Sequence, residues 1–317
     1  MAQALASIAL PLIAAPLMPV LYRWLRWRLG VAATAVAAVT FILVVLTPNL
    51  SLVIPWVPQL GIDLSIAVDG WSRLFALLIA GIGTLVVLYS IPYLGGREDL
   101  GKFYCYLLLF MGAMLGAVYA GNLMLMYVFW ELTSISSFLL IGFWNTRDDA
   151  QYGATKAILI TVGGGLCMLG GLVILGLIAG TLERAELVAA GGALLSHPLA
   201  TAALLLMLVG AFTKSAQFPF YIWLPDAMAA PTPISAYLHS ATMVKLGLYL
   251  VGRLWPVFHG HPLWLPVVAT VGMVTMVVGS FLALQKTDLK AVLALSTVSQ
   301  LGLIMWLFGL GTAESAQ

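Results

Sequence analysis

Residues 208–233 read LVGAFTKSAQFPFYIWLPDAMAAPTP, an apolar run that carries a lysine and prolines at positions 219, 225, 231 and 233. Pro219 falls inside the run. A proline removes a backbone donor and clashes with the preceding turn, so the helix is expected to break near Gln217–Pro219. Unwound backbone inside an apolar segment is tolerated only where protein or a water-filled cavity covers it. An interrupted helix beside a buried charge points to a polar site within a membrane rather than to a soluble fold.

Composition agrees with that reading. Of 317 residues, 62% are hydrophobic and only 8% are charged, whereas about a quarter of a typical soluble domain is charged. So few charges cannot keep a surface polar, and lipid must be the outer solvent. A formal net charge of +2 says little about partners. Cys105 and Cys167 sit in apolar runs without ligand-like neighbours and read as core fillers, giving neither a disulfide framework nor a metal site. The start, MAQALASIALPL, reads as a first spanning helix rather than a removable signal.

A helix crossing roughly 30 Å of hydrocarbon needs about 20 apolar residues. Ten stretches qualify, near 3–22, 29–47, 70–94, 103–120, 122–142, 153–180, 199–225, 231–255, 263–284 and 288–310. The expected fold is therefore all-α, a polytopic transmembrane helix bundle. With an external N-terminus, one side holds Arg23, Arg26, Arg28, Arg97, Lys102, Arg147, Lys156, Lys286 and Lys290, and the other holds Arg73, Arg184 and Arg253. That asymmetry follows the positive-inside bias and supports both the count and the orientation, in a cell (inner) membrane. Residues 48–69 (PNLSLVIPWVPQLGIDLSIAVD) alternate apolar residues with turn formers, and a short external hairpin is expected. Residues 181–196 suit a short amphipathic helix at the surface, and Trp24 and Trp27 suit the interfacial belt.

The ionisable residues left inside the spans carry the functional signal. Glu131 lies in the middle of LMLMYVFWELTSISSFLLIGFW (123–144), and a charge at the bilayer centre costs about 2.5–3.5 kcal/mol on insertion scales. Such a group faces the protein interior and has a partner. Lys214, His239 and Lys245 are the basic candidates. Each also has a structural reading: Glu131 and Lys214 as a static ion pair, His239 as a core histidine bonded to a carbonyl, Lys245 snorkelling outward. Ser134 and Ser137 lie on or near the Glu131 face and serve either the site or helix packing. Asp226 reads as a cap on the broken helix, and Asp148 and Asp149 as a solvated loop. The run GGGLCMLGG (163–171) has no preceding strand, so close helix packing explains it better than phosphate binding. No cofactor motif, metal-ligand spacing or nucleic-acid-binding pattern is present in the sequence.

Three stretches carry a family resemblance: FWELTSISSFLLIGFW (129–144), KSAQFPFYIWLPDAMAAPTPISAYLHSATMVKLG (214–247) and KTDLKAVLALSTVSQLGL (286–303). They resemble the antiporter-like proton-translocating family shared by respiratory complex I and the Mrp-type multisubunit sodium/proton antiporters. The wording is most similar to the large A subunits of the Mrp branch. The resemblance implies an antiporter-like fold with a broken seventh helix. It implies a glutamate–lysine pair at Glu131 and Lys214, and a relay through His239 and Lys245. Lys290 matches the tenth-helix motif. Apart from the resemblance, the hydroxyls of Ser134, Thr242 and Ser215 both donate and accept and are expected to help hold water in the relay. The resemblance also implies a domain plan of N-terminal helices (1–100), a first five-helix repeat (101–258) and the start of a second repeat (259–317), most of which is missing. Expected partners are other membrane subunits, protons, a monovalent cation (sodium) and the lipid bilayer. Two alternatives remain: a proton-pumping subunit of a redox-driven, complex I-like dehydrogenase or hydrogenase, and an inactive structural scaffold.

Overall fold

The computed structural model describes residues 2–57, 62–95 and 99–311. The chain starts with helices α1 (Ala2–Leu25) and α2 (Leu29–Leu46), joined by a 3-10 turn over Arg26–Arg28. Trp24, near the end of α1, and Trp27, inside that turn, are 81% and 65% exposed, as a membrane-interface pair should be. Strands β1 (Leu50–Val57) and β2 (Ile62–Val68) form a two-stranded sheet where the hairpin was expected. The residues that join them, 58–61, lie outside the described ones, as does Arg97.

Helix α3 (Gly70–Leu94) opens on a capping box. Ser72 N donates to Asp69 Oδ1 at 2.9 Å, and Asp69 N donates to Ser72 Oγ at 2.8 Å. Two of the amides that every helix start leaves unpaired are thereby satisfied. Helices α4 (Leu100–Tyr119), α5 (Leu123–Ile141) and α6 (Asp148–Ala179) follow.

Two compact units divide the chain. The first comprises Met1–Trp56, Asp63–Thr155 and Ala229–Thr242. Its centre is α4, whose side chains are almost all buried, with α1, α3 and α5 packed around it. The sheet is pinned to the α4–α5 turn, since Gly121 N donates to Ser65 O at 2.7 Å and Ile66 bridges Ala120. This unit also holds the short helix α11 (Thr232–Ser235) and a π-helical turn over Ala236–Ala241. Tyr237 anchors that turn by donating to Ile79 O at 2.9 Å.

The second unit comprises Val57–Ile62, Lys156–Met228 and Met243–Gln317. After most of α6 come two short helices, α7 (Arg184–Ala189) and α8 (Gly191–Leu195), where one amphipathic helix was expected. Then follow α9 (Ala200–Lys214), α10 (Trp223–Asp226), α12 (Met243–Phe258), α13 (Trp264–Leu284) and α14 (Leu289–Leu310). The glycine run serves packing. A Cβ on Gly171 would stand 2.7 Å from Met207 Cγ and 2.9 Å from Ala203 O, so its absence lets α6 lie close against α9.

Among the described residues, seven helical segments are long and apolar enough to cross a membrane, with Ala2–Leu46 running through as one. The expectation of ten spans is corrected in two places: the seventh, expected to break near Gln217–Pro219, leaves the helix earlier, and the eighth, expected to be unbroken, is divided. The stretch expected at 199–225 stops as a helix at Lys214, one turn before Pro219, and re-forms only as short turns. The stretch expected at 231–255 is divided into α11, the π turn and α12. The first correction follows from the clustered prolines. The second rests on Thr242, whose hydroxyl donates to Tyr237 O at 2.7 Å and so takes up a carbonyl of the widened turn.

Two predictions follow from packing in the second unit. Helices α13 and α14 touch through main chain: a Cβ on Gly279 would lie 2.7 Å from Ser299 N, and one on Gly302 would lie 2.8 Å from Gly272 O. Gly279→Leu should lower stability by about 1–3 kcal/mol through overpacking. Gly163→Ala, inside α6 with nothing within 4 Å of the added carbon, should raise stability slightly, by up to about 1 kcal/mol, because Ala favours helix. Thermal denaturation in detergent, read for both variants against wild type, decides the matter. Lys156 Nζ meets Asp226 Oδ2 at 2.6 Å, with side chains 25% and 37% exposed. Asp226 is thus an ion-pair partner rather than the expected cap, tying the segment after the break to α6. A double-mutant cycle with Lys156→Met and Asp226→Asn should return a coupling of about 0.2–1 kcal/mol, and additive effects would show that the pair contributes nothing.

Candidate functional site

The site is built around the end of α9. Lys214 is its last residue and is 0% exposed. The helix dipole places partial negative charge at that end, which favours an ammonium there. Beyond Lys214 the backbone leaves the helix, and Ala216 adopts φ +48°. The freed groups find partners inside the protein. Ser215 N donates to Ala211 O and Gln217 N to Phe212 O, both at 2.9 Å. Trp223 Nε1 donates to Thr213 O at 3.0 Å, and Phe218 N donates to Thr275 Oγ1 at 2.9 Å. The interruption is a specified structure, not a frayed end.

Lys245 lies in the first turn of α12, half-buried. It is drawn towards the α9 terminus because Ser215 Oγ donates to Val244 O at 2.5 Å. Gly247 permits this approach, since a Cβ there would meet Ala211 O and Ser215 Oγ. The second unit therefore brings Lys214 and Lys245 to either side of one helix–helix contact. Lys290, in the first turn of α14, donates from Nζ to Met228 O at 3.2 Å, just past the interrupted segment. It holds the far end of that segment and is only partly buried, whereas Lys214 is fully buried.

The other expected residues lie in the first unit. Glu131 sits mid-way along α5 in partly buried surroundings, with its Oε1 inaccessible to solvent. Ser134 is fully buried three residues on and donates to Trp130 O at 3.3 Å, and Ser137 donates to Ser134 O at 2.8 Å. His239 is 1% exposed in the π turn, and Thr242 closes that turn. The hydroxyls of Ser134, Thr242 and Ser215 all donate to main-chain carbonyls. Each keeps lone pairs, so each can accept a hydrogen bond from water but has no further proton to give. That narrows their expected role as water holders to acceptors.

Asp148 and Asp149 stand in the first turn of α6 rather than in the expected loop, and Asp149 is exposed and accepts from Arg147 Nε at 3.1 Å through Oδ1. Cys105 and Cys167 are free thiols. Among the described residues, no cluster of three or more His, Cys, Asp or Glu side chains is arranged to hold a metal ion. Two features escaped the sequence: the π turn, for which YLHSAT carries no helix-breaking signal, and the fully buried Gln217, whose only cue was its place beside Pro219.

Comparison with known proteins bears on the same residues. A family model described as NADH:quinone oxidoreductase/Mrp antiporter, TM matches residues 120–317, and one described as NADH-Ubiquinone oxidoreductase (complex I), chain 5 N-terminus matches residues 54–104. The Na(+)/H(+) antiporter subunit A1 of Staphylococcus haemolyticus (strain JCSC1435) is 51% identical over 316 residues, covering 97% of this chain and 39% of the relative. Its Staphylococcus aureus counterpart is 49% identical over 313 residues, covering 96% of this chain and 39% of the relative. The chain thus spans about two fifths of the length of these curated relatives. A chain of the Mrp complex from Dietzia sp. DQ12-45-1b superposes with a TM-score of 0.92 at 36% identity, over 98% of this chain and 34% of that one. A chain of the membrane-bound sulfane sulfur reductase, an archaeal respiratory membrane complex, superposes with a TM-score of 0.83 at 28% identity, over 98% of this chain and 66% of that one. With apolar helices, a specified interruption after Lys214 and a family match over residues 120–317, this multi-pass membrane chain belongs to the NADH:quinone oxidoreductase/Mrp antiporter transmembrane family.

Proposed function

We propose that the chain is a proton-translocating membrane subunit of a multisubunit cation/proton antiporter, exchanging sodium or a similar monovalent cation. The observation that carries this reading is Lys214, an ammonium-bearing side chain held at 0% exposure where a membrane helix ends. An ionisable side chain at membrane depth marks an ion or proton path, and that is the role taken here for Lys214. Glu131 is the acidic member of the relay, His239 and Lys245 are its onward members, and Lys290, Ser134 and Thr242 support it. The chain works in a cell membrane with an external N-terminus, a reading supported by the basic residues on one set of connections. Other membrane subunits complete the assembly, as the names of the antiporter relatives suggest.

Removing an ionisable side chain at membrane depth bears on folding as well as on transport. Variants must therefore be compared at equal membrane abundance. In inverted vesicles containing the assembled complex, Glu131→Ala and Lys214→Ala should each cut sodium-dependent proton movement by about 100-fold or more, the scale of a lost proton-transfer group. Normal rates in either variant would remove that residue from the relay. Normal proton movement in complexes lacking this chain would reduce it to a scaffold.

The likeness to an archaeal respiratory complex favours a second reading, in which an electron-transfer partner drives the same relay. Flavin or iron–sulfur absorbance in the purified native complex selects the redox-driven assembly, and its absence together with sodium-dependent proton movement selects the antiporter.

A further inference from the structure

Gln217 is fully buried in the interrupted segment, three residues beyond Lys214. Its Nε2 donates to Ser215 O at 2.9 Å, which fixes the amide plane. Its Oε1 is buried and has no hydrogen-bond partner among the described residues. Turning the amide over would set Oε1 against Ser215 O, two acceptors face to face, and would leave the NH2 group unpaired instead. The orientation is therefore dictated by chemistry, although oxygen and nitrogen are otherwise hard to tell apart. A buried carbonyl without a donor is costly, and it sits here amid backbone whose amides from Ser215 to Phe218 are all partnered.

We propose, resting on the relay reading of Lys214, that Gln217 is a positioning residue whose carbonyl holds a water molecule in the break and thereby sets the path of the proton leaving Lys214. Water suits the geometry better than a cation. One orphan acceptor matches one water O–H, whereas an alkali cation takes several oxygens. The step balances without a co-reactant. The Lys214 N–H bond breaks as an O–H bond forms on the water, and the water passes a different proton to the neutral amine of Lys245. Gln217 gains and loses nothing; it keeps one O–H of the water pointed at itself, so that the oxygen lone pairs face the donor and the remaining O–H faces the acceptor.

The test uses the assembled complex in inverted vesicles, with Gln217→Met, Gln217→Glu and Lys214→Met at matched abundance and matched thermal stability. Gln217→Met, which keeps the volume and loses the acceptor, should lower the maximal rate about tenfold or more and leave the half-saturating sodium concentration unchanged. Gln217→Glu, when protonated, reproduces both the donor to Ser215 O and the free carbonyl. Its rate should stay within about threefold of wild type at acidic pH and fall as the introduced carboxyl ionises, a pH profile wild type lacks. Wild-type rate in Gln217→Met, with Lys214→Met inert, overturns the positioning role alone. Wild-type rate in Lys214→Met overturns the relay reading and this proposal with it. Equal losses in both Gln217 variants at every pH assign Gln217 a purely structural part and overturn the proposal as well.

Discussion

Every backbone amide and carbonyl at membrane depth needs a partner that lipid cannot supply, and the interrupted segment after Lys214 is where that requirement bears hardest. The solution is drawn from one compact unit. Trp223 reaches back to Thr213 O, Thr275 meets Phe218 N, and Gln217 closes on Phe212 O through its own amide. Each of these residues is explained by a main-chain group that the break sets free. The consequence for Lys214 is a fixed position at a helix terminus, where the peptide dipoles favour its charge. The same segment is held at its far end by Asp226 with Lys156, and by Lys290 on Met228 O.

Ionisable groups are distributed accordingly. Pairs such as Lys102–Asp99 and Arg147–Asp149 are more than half solvated and sit at helix ends. Such pairs add little to stability. Of the four ionisable side chains expected in the interior, Lys214, His239 and Lys245 lie on elements with irregular geometry or next to them (the α9 terminus, the π turn and the start of α12), and Glu131 lies on the regular helix α5. Regular helix can be kept apolar at no cost in hydrogen bonding. The three basic groups gather where the backbone already departs from the i to i−4 ladder.

Much of this was legible in the amino-acid sequence, because lipid makes composition decisive. Apolar runs of spanning length gave α1–α6, α13 and α14 within a few residues, and Asp69 and Asp288 mark the starts of α3 and α14 as side-chain caps should. The break was visible through Pro219, although it starts a turn earlier, at Ser215, because Trp223 and Gln217 stabilise the exit from helix, and those contacts are not local in sequence. The π turn was invisible for a related reason. It is held by Thr242 on Tyr237 O and by Tyr237 reaching Ile79 O, a residue 158 positions away, and neither bond is announced by helix propensity. Glu131, Lys214, His239 and Lys245 stood out because charge is rare in such a chain. Gln217 did not, since an amide raises no alarm until its burial and its unused oxygen are seen.

The α13–α14 contact has a mechanical corollary. Where two helices meet through side chains, rotamer changes can absorb sliding of one against the other. Here Gly279 faces Ser299 N and Gly302 faces Gly272 O, so main chain bears on main chain at separate levels. Nothing at those levels can rearrange to accommodate slip. The two helices must therefore travel as one stiff strut, and any displacement they undergo has to be taken up by the short connection around Gln285–Asp288 or by the turns beyond their outer ends.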